Sequence, residues 1–329
     1  MKDVAERSGY ALRTVKNVVA GKSSVGGPVR EAVLKAMEEL NYKQNSLAST
    51  LAKNKAYLIA VILLDGDNAY QKELEQGILR YAENYEDFGL EIELHRTKPP
   101  AQAQIRLLEE FYERDDVDGM ILQPAHETDV NPQIDLLVYG DKPVLTVGTD
   151  AASSKRICFV GSDHCRSGRI ASQLMANYIG RRGNVLAVCR EGGRLRLEGF
   201  RQQMQERYPQ VTVLTHMLTG DPEQEAACLE TRIREEQVLG VFDCDDCLQQ
   251  LGALLRSRQR QDVVLIGNNP TEETLDLMRE GYIDVMISQE PDHTGYTALD
   301  VLFRYVSRSE LPPKRVYTKL TIVTSECLP

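Results

Sequence analysis

Apolar positions follow one period over roughly the first 40 residues of this chain and another from about residue 57 onward. The first period is helical. In Lys2 to Asn17 (KDVAERSGYALRTVKN), Val4 and Ala5 fall on one helical face and Gly9 interrupts. Thr14, Val15 and Val18 then open a second apolar stripe. Gly21 and Lys22-Ser23-Ser24 predict a turn. A third helix is predicted from about Pro28 to Leu40, with Val29, Val33, Met37 and Leu40 as its buried stripe. Pro28 suits a first helical turn, where its missing N–H costs nothing, and Asn41-Tyr42 ends the helix. Two short helices joined through a glycine outline a helix-turn-helix, whose second helix enters the DNA major groove.

Beyond a polar segment at Asn45 to Lys55, short continuous apolar runs alternate with helical stripes. Tyr57 to Leu64 is apolar throughout, as a parallel strand covered on both faces requires. Further strands are predicted at Leu90–Leu94, Gly119–Leu122 and Pro143–Val147, with helices at Leu74–Tyr85 and Ile105–Tyr112. A second series runs through Ile157–Val160, Val185–Val188, Val211–Leu214, Leu239–Phe242 and Val263–Ile266. The fold class read from this is a small all-α head followed by α/β: two doubly wound parallel-sheet lobes. Ligands of such sheets sit beyond the strand carboxyl ends.

Charge sharpens the division. Residues 1 to 55 hold ten Lys or Arg and five Asp or Glu, a balance of +5, against −10 for the whole chain, so the remainder carries −15. A basic head on an acidic body suits a polyanionic partner for the head alone, although small helical domains often carry such charge by chance. Seven cysteines at irregular spacing fit reduced thiols rather than a disulfide framework. No apolar stretch has the length of a membrane span, so a cytoplasmic, nucleoid-associated protein is expected.

KDVAERSG, then TV, then REAVLKAMEELNY, then NSLASTL resemble the head and hinge of the LacI/GalR family of bacterial transcriptional repressors. The resemblance implies that Leu12, Arg13, Thr14, Lys16 and Asn17 face DNA, with Arg13 suited to a guanine edge and Leu12 to a thymine methyl. It also implies a hinge leucine, here Leu51 with Ala48 on the same face, that wedges into the minor groove. The alternative is that Leu47 and Leu51 pack the hinge against the body. Ala11, Lys16, Asn17, Gly26, Gly27, Val29 and Gln44 depart from the usual head, so an unusual operator is expected.

The body resembles the periplasmic sugar-binding fold of the ribose-binding type. The most specific pieces are Gly161-Ser162-Asp163, Gly168, Arg194 to Phe200, and Ser288 to Asp292 followed by Gly295. That resemblance implies ligand contacts from Asn68, Tyr70, Gln123, Arg196, Asp246, Asn269 and Gln289, with Asp150 a displaced substitute for a carboxylate–arginine pair. Amides, carboxylates and a guanidinium supply the fixed donors and acceptors that a polyhydroxyl ligand needs, although each also serves as a cap or turn residue elsewhere. With no Trp, any stacking falls to Tyr70 or another Tyr or Phe.

Cys244-Asp245-Asp246-Cys247 has the spacing of half a zinc or redox site, but nothing in the sequence completes four ligands. The five histidines form no motif; His126 and His164 are candidates for the cleft mouth, a surface or hydrogen-bonded histidine being the ordinary reading. No phosphate loop, dinucleotide fingerprint or nucleophile elbow is present. The expected domains are a head at 1–44, a hinge at 45–55 and a body at 56–329. Within the body, an N-lobe is expected at about 56–161 plus 290–318 and a C-lobe at about 162–289 plus 319–329. The expected function is a ligand-responsive repressor that needs no cofactor and performs no catalysis. It would bind a pseudo-palindromic operator as a homodimer and sense a sugar, polyol or phosphosugar. The rival is a sugar sensor whose degenerate head no longer binds DNA.

Overall fold

The computed structural model describes residues 2–19, 26–40, 56–66, 68–218, 221–245 and 247–328. Ala48 and Leu51 of the expected hinge and Asp246 of the expected ligand set lie outside these, as do the side chains of Leu12 and Lys16. The chain divides into two compact units, Met1–Ala56 and Tyr57–Pro329.

The first unit holds α1 (Lys2–Ser8), α2 (Leu12–Val19) and α3 (Gly27–Glu39). Gly9 makes the turn after α1 at φ +74°, a conformation that side chains with a Cβ resist. Val4, Val15, Val18, Val33 and Ala36 form the core, with Ala5, Tyr10 and Met37 packed against it. The α3 stripe therefore differs from the expected one: Ala36 is buried, while Leu40 stands 42% exposed past the helix end. Arg7 donates to Glu39 at 2.8 Å and ties α1 to α3.

The second unit contains two six-stranded sheets with one topology used twice. The first joins β1 (Tyr57–Leu64), β2 (Leu90–Thr97), β3 (Val117–Leu122), β4 (Val144–Val147), β5 (Cys158–Gly161) and β11 (Arg315–Tyr317) in the order β11-β5-β4-β3-β1-β2. The second joins β6 (Gly183–Cys189), β7 (Val211–Met217), β8 (Val238–Asp243), β9 (Val264–Asn268), β10 (Val285–Ser288) and β12 (Thr321–Val323) in the order β12-β10-β9-β8-β6-β7. All pairs are parallel except β10 with β12. Among the helices of this unit are α4 (Ala69–Tyr85), α5 (Gln102–Tyr112), α6 (Asn131–Tyr139), α7 (His164–Tyr178), α8 (Arg194–Arg207), α9 (Pro222–Glu235), α10 (Leu248–Ser257), α11 (Glu272–Arg279) and α12 (Pro291–Arg308). The chain passes from the first sheet to the second through α7, returns through α12, and crosses again between β11 and β12. β10, β11 and β12 extend the strands read from the sequence.

Alternation explains the unbroken apolar run of β1. Ile59, Val61 and Leu63 join one core cluster with α4 and α12, while Ala60 and Ile62 join another with α5 and α6. The second sheet repeats this, with Leu186 and Val188 on one face and Val185, Ala187 and Cys189 on the other. Among the described residues no helix is long and apolar enough to cross a membrane.

Within each lobe one helix pair meets backbone to backbone. A Cβ at Gly77 of α4 would lie 1.9 Å from the Asp292 carbonyl oxygen of α12, and one at Gly295 would lie 2.0 Å from that of Leu74. The other lobe repeats the contact: Gly168 of α7 meets the Arg196 carbonyl at 1.9 Å, and Gly199 of α8 meets that of Cys165 at 2.0 Å. No methyl group fits at these distances, so the helices approach only because glycine stands at each crossing. Gly295→Ala must push α4 and α12 apart and is expected to destabilise the body by about 1–3 kcal/mol. Urea unfolding followed by circular dichroism checks this, and an unchanged midpoint would contradict it.

Candidate ligand cleft and recognition helix

In the repeated 2-1-3 strand order, the loops after the first and third strands depart to opposite faces and leave a crevice at the strand carboxyl ends. Two adjoining cavities of about 230 and 270 Å³ occupy this region, both bordered by Ala69, Tyr70, Asn269, Pro270 and Thr271. One wall is thus the start of α4 in the first lobe, and the other is the β9–α11 loop in the second.

Asn68 sits on the first cavity and caps α4, its Oδ1 accepting from the Gln71 amide at 2.9 Å. Tyr70, two residues further on, borders both cavities. Its hydroxyl lies 3.0 Å from where a Cβ on Gly148 would be, and Gly148 itself holds φ +70°. The backbone angle favours glycine after β4, and a Cβ there would also press on the Tyr70 hydroxyl. Asn269 borders both cavities in the left-handed conformation (φ 59°), and its Oδ1 accepts from buried Gln289 at 2.6 Å. The amide pair links the ends of β9 and β10, so Gln289 orients Asn269 at the wall.

Arg196 lies in the first turn of α8, after β6, and is only 6% exposed. Nη1 donates to the Cys244 carbonyl at 3.0 Å, while Nε is buried without a hydrogen-bond partner. An unsatisfied buried donor on a guanidinium is costly, and it marks a place where an acceptor belongs.

Two expected contacts have other duties. Gln123 is buried, accepts from the Leu64 amide at 3.0 Å, and its carbonyl accepts from Gln104 at 2.8 Å. It clamps the end of β3 to β1, and its amide nitrogen lies 3.4 Å from where a Cβ on Gly148 would be. Asp150, like Arg196 and Gln289, borders neither cavity; Arg156 Nη2 donates to it at 2.7 Å and Arg315 at 3.3 Å, fastening β4, β5 and β11 along the sheet edge. It forms a carboxylate–arginine pair, but one turned toward the sheet edge.

Sequence reasoning passed over Asn268 and gave His164 no more than a candidate place. Asn268 is buried; it donates to the Asp243 carbonyl at 3.0 Å and accepts from the Ser167 hydroxyl at 3.0 Å. This cross-link ties β8, β9 and α7 together directly beneath Asn269. His164 begins α7, and its Nδ1 is buried without a partner. Burial, and secondarily the charge of Arg196, pushes its pKa down to about 3, so the imidazole is neutral. A polar residue directly after an apolar strand was the available signal for Asn268; His164 follows the Gly161-Ser162-Asp163 motif. Cys244 and Cys247 are buried thiols with raised pKa, chiefly through desolvation, and among the described residues no three acidic, Cys or His side chains could hold a metal ion.

In the head, Val15 and Val18 direct one face of α2 into the core. Arg13 and Asn17, one helical turn apart, lie on the opposite side; Arg13 is exposed, and Thr14 and Asn17 are half-buried. A short helix with one packed face and a cation and an amide on the other has the form of a groove-reading element.

Residues 1–45 match the family model described as bacterial regulatory proteins, lacI family, and residues 59–310 match that of a periplasmic binding protein domain. The ribose operon repressor of Escherichia coli K12 is 26% identical over 335 residues, covering 96% of each chain. The transcriptional regulator MalR of Streptococcus pneumoniae is 28% identical over 179 residues, 53% of this chain and 52% of that one, so the match spans about half of that relative's length. Among solved structures, the glucose-galactose binding protein GanP of Geobacillus stearothermophilus superposes with TM-score 0.74 at 21% identity, over 84% of this chain and 100% of that one. A putative LacI transcriptional regulator from Bacteroides fragilis gives 0.75 at 20%, over 83% and 98%. The two structural likenesses show the fold. With its helix-turn-helix head and two-lobed body, this chain belongs to the lacI family of bacterial regulatory proteins, and its body is a periplasmic-binding-protein domain.

Proposed function

We propose that this protein is a cytoplasmic transcriptional repressor that senses a sugar or polyol between its lobes and binds a pseudo-palindromic operator as a homodimer. One observation carries the reading. The same chain holds a helix presenting Arg13 and Asn17 opposite its packed face, and a cleft bordered by the amides of Asn68 and Asn269 and the phenol of Tyr70. A relative matched over nearly its whole length is by name a repressor of a ribose operon, which supports a monosaccharide effector.

On this reading Leu12, Arg13, Thr14, Lys16 and Asn17 contact the major groove, and Ala48 and Leu51 the minor groove. Asn68, Tyr70, Gln123, Arg196, Asp246, Asn269 and Gln289 hold the effector, with Asp150 a displaced contact. Twofold pairing is a geometric need, because one small head reads too few base pairs and paired half-sites lie about one turn apart. Effector binding alters operator affinity only as far as it prefers one arrangement of the lobes over another. The protein acts by binding and needs no cofactor.

DNA selected from a random pool, titrated by fluorescence anisotropy, tests this. Affinity is expected to fall by orders of magnitude between about 50 and 200 mM salt. Arg13→Ala is expected to cost about 1–3 kcal/mol and to relax the preference at one base position. Equal affinity for selected and scrambled DNA, with sugars still raising the melting temperature, would contradict the repressor reading and leave a sensor without a DNA role.

A further inference from the structure

Cys244 and Cys247 are close in sequence but pack on opposite faces of the second sheet. Cys244 joins the core of Ala187 and Phe242, and Cys247 joins that of Leu186 and Val241. The fold sets Cys244 beside Cys189 instead. β6 and β8 pair in parallel with Val188 opposite Asp243, so Cys189 and Cys244 are the next positions along. The Cys244 amide continues the ladder, donating to the Val188 carbonyl at 2.9 Å. Both side chains belong to one core cluster, so both project from the same face. Paired strands lie about 4.8 Å apart, within the range of Cα separations that a disulfide spans.

Gly193 closes over the two residues. A Cβ there would lie 2.9 Å from Cys189 Sγ and 2.8 Å from the Cys244 carbonyl oxygen, so the turn before α8 comes this close only as glycine. The preceding Gly192 is exposed. The thiols are buried, yet what separates them from solvent here is a turn in which two successive residues carry no side chain. We propose that Cys189 and Cys244 form an oxidation site, which a small hydroperoxide closes reversibly to a disulfide.

The reaction runs in two displacements. The Cys189 thiolate attacks one peroxide oxygen, the O–O bond breaks, and the leaving hydroxide takes up the proton lost by Cys189 to form water. Cys189 is then a sulfenic acid. Cys244 sulfur attacks the Cys189 sulfur, the S–O bond breaks, and the departing hydroxide takes the Cys244 proton to form a second water. The two thiols lose two electrons and two protons, both of which the peroxide gains, and a dithiol reductant reverses the step by exchange. Environment separates the roles, because the thiolate and not the thiol is the nucleophile. Hydrogen bonding with Cys244 lowers the pKa of Cys189 against the effect of burial, whereas burial raises that of Cys244. Cys189 is therefore the attacking thiol and Cys244 the resolving one. The remaining thiols are placed differently: Cys158 stands in the first sheet, and Cys228 and Cys327 are exposed.

The test treats the reduced full chain, carrying Cys228→Ser and Cys327→Ser to remove the exposed thiols, with hydrogen peroxide. Residual thiols are then alkylated and the digested peptides mapped by mass spectrometry, with and without dithiothreitol. The expected product is a chain two hydrogens lighter that yields a linked Cys189–Cys244 peptide, and dithiothreitol restores both thiols. Adding Cys244→Ala is expected to stop the reaction at the Cys189 sulfenic acid, which dimedone traps, while Cys189→Ala abolishes the linkage. Mapping with both thiols in place decides the matter even where those two variants fail to fold. Cys189 and Cys244 remaining as thiols while Cys165 is oxidised would overturn the inference. So would a linkage of Cys244 to Cys247, or Cys189 carried on to sulfinic acid with Cys244 still reduced.

Discussion

Helix backbones touch at Gly77 and Gly295 in one lobe and at Gly168 and Gly199 in the other, and the position of the cleft depends on these contacts. The sequence around each is related. Asp292, Gly295 and Tyr296 stand to α4 as Arg196, Gly199 and Phe200 stand to α7: a carbonyl against the facing glycine, then a glycine, then an aromatic. Helix starts at Asn68, His164, Arg194 and Pro291 follow strand ends. A repeated lobe with a repeated crossing leaves two half-sites facing each other, and their difference in side chains makes the site.

Polar side chains in the body divide by what they do with their hydrogen bonds. Gln104, Gln123 and Asn268 are buried and hold strands and loops to one another. Asp150 spends its carboxylate on Arg156 and Arg315. These groups make the frame rigid. Arg196 and His164 differ, since each keeps one buried atom without a partner, while Arg196 also donates to the Cys244 carbonyl. Desolvation of such atoms is tolerated where a ligand supplies the missing partner.

Much of the fold was legible because burial on both faces leaves an unmistakable mark. Tyr57 to Leu64 has no polar position, and the structure places it inside a sheet, between β3 and the edge strand β2. Gly9 and the Val15–Val18 spacing marked the head equally well. β10, β11 and β12 escaped notice because three or four residues are too few to display alternation, and the last two are edge strands with little buried area. Leu40 was read into a stripe that the helix ends before reaching, while Ala36, a small residue of ambiguous character, took the buried place.

The site was legible by residue type and less so by role. Asn68, Tyr70 and Asn269 border the cavities, as their places after strand ends suggested. Gln123 and Asp150 follow strands too, yet a position at a strand end does not say whether a side chain turns to the crevice or to the neighbouring strand. Gly168, Gly199 and Gly295 were visible as motif positions, but their reason, a helix pressed against the missing side chain, exists only in three dimensions. The account's central claim is that cleft and head are thermodynamically linked. It is tested most directly by measuring operator affinity with and without the sugar that most raises the melting temperature, and sugar affinity with and without operator. Linkage requires both affinities to change by the same factor. That equality, at several-fold or more, is the result predicted here, and a sugar that fills the cleft without changing operator affinity would contradict it.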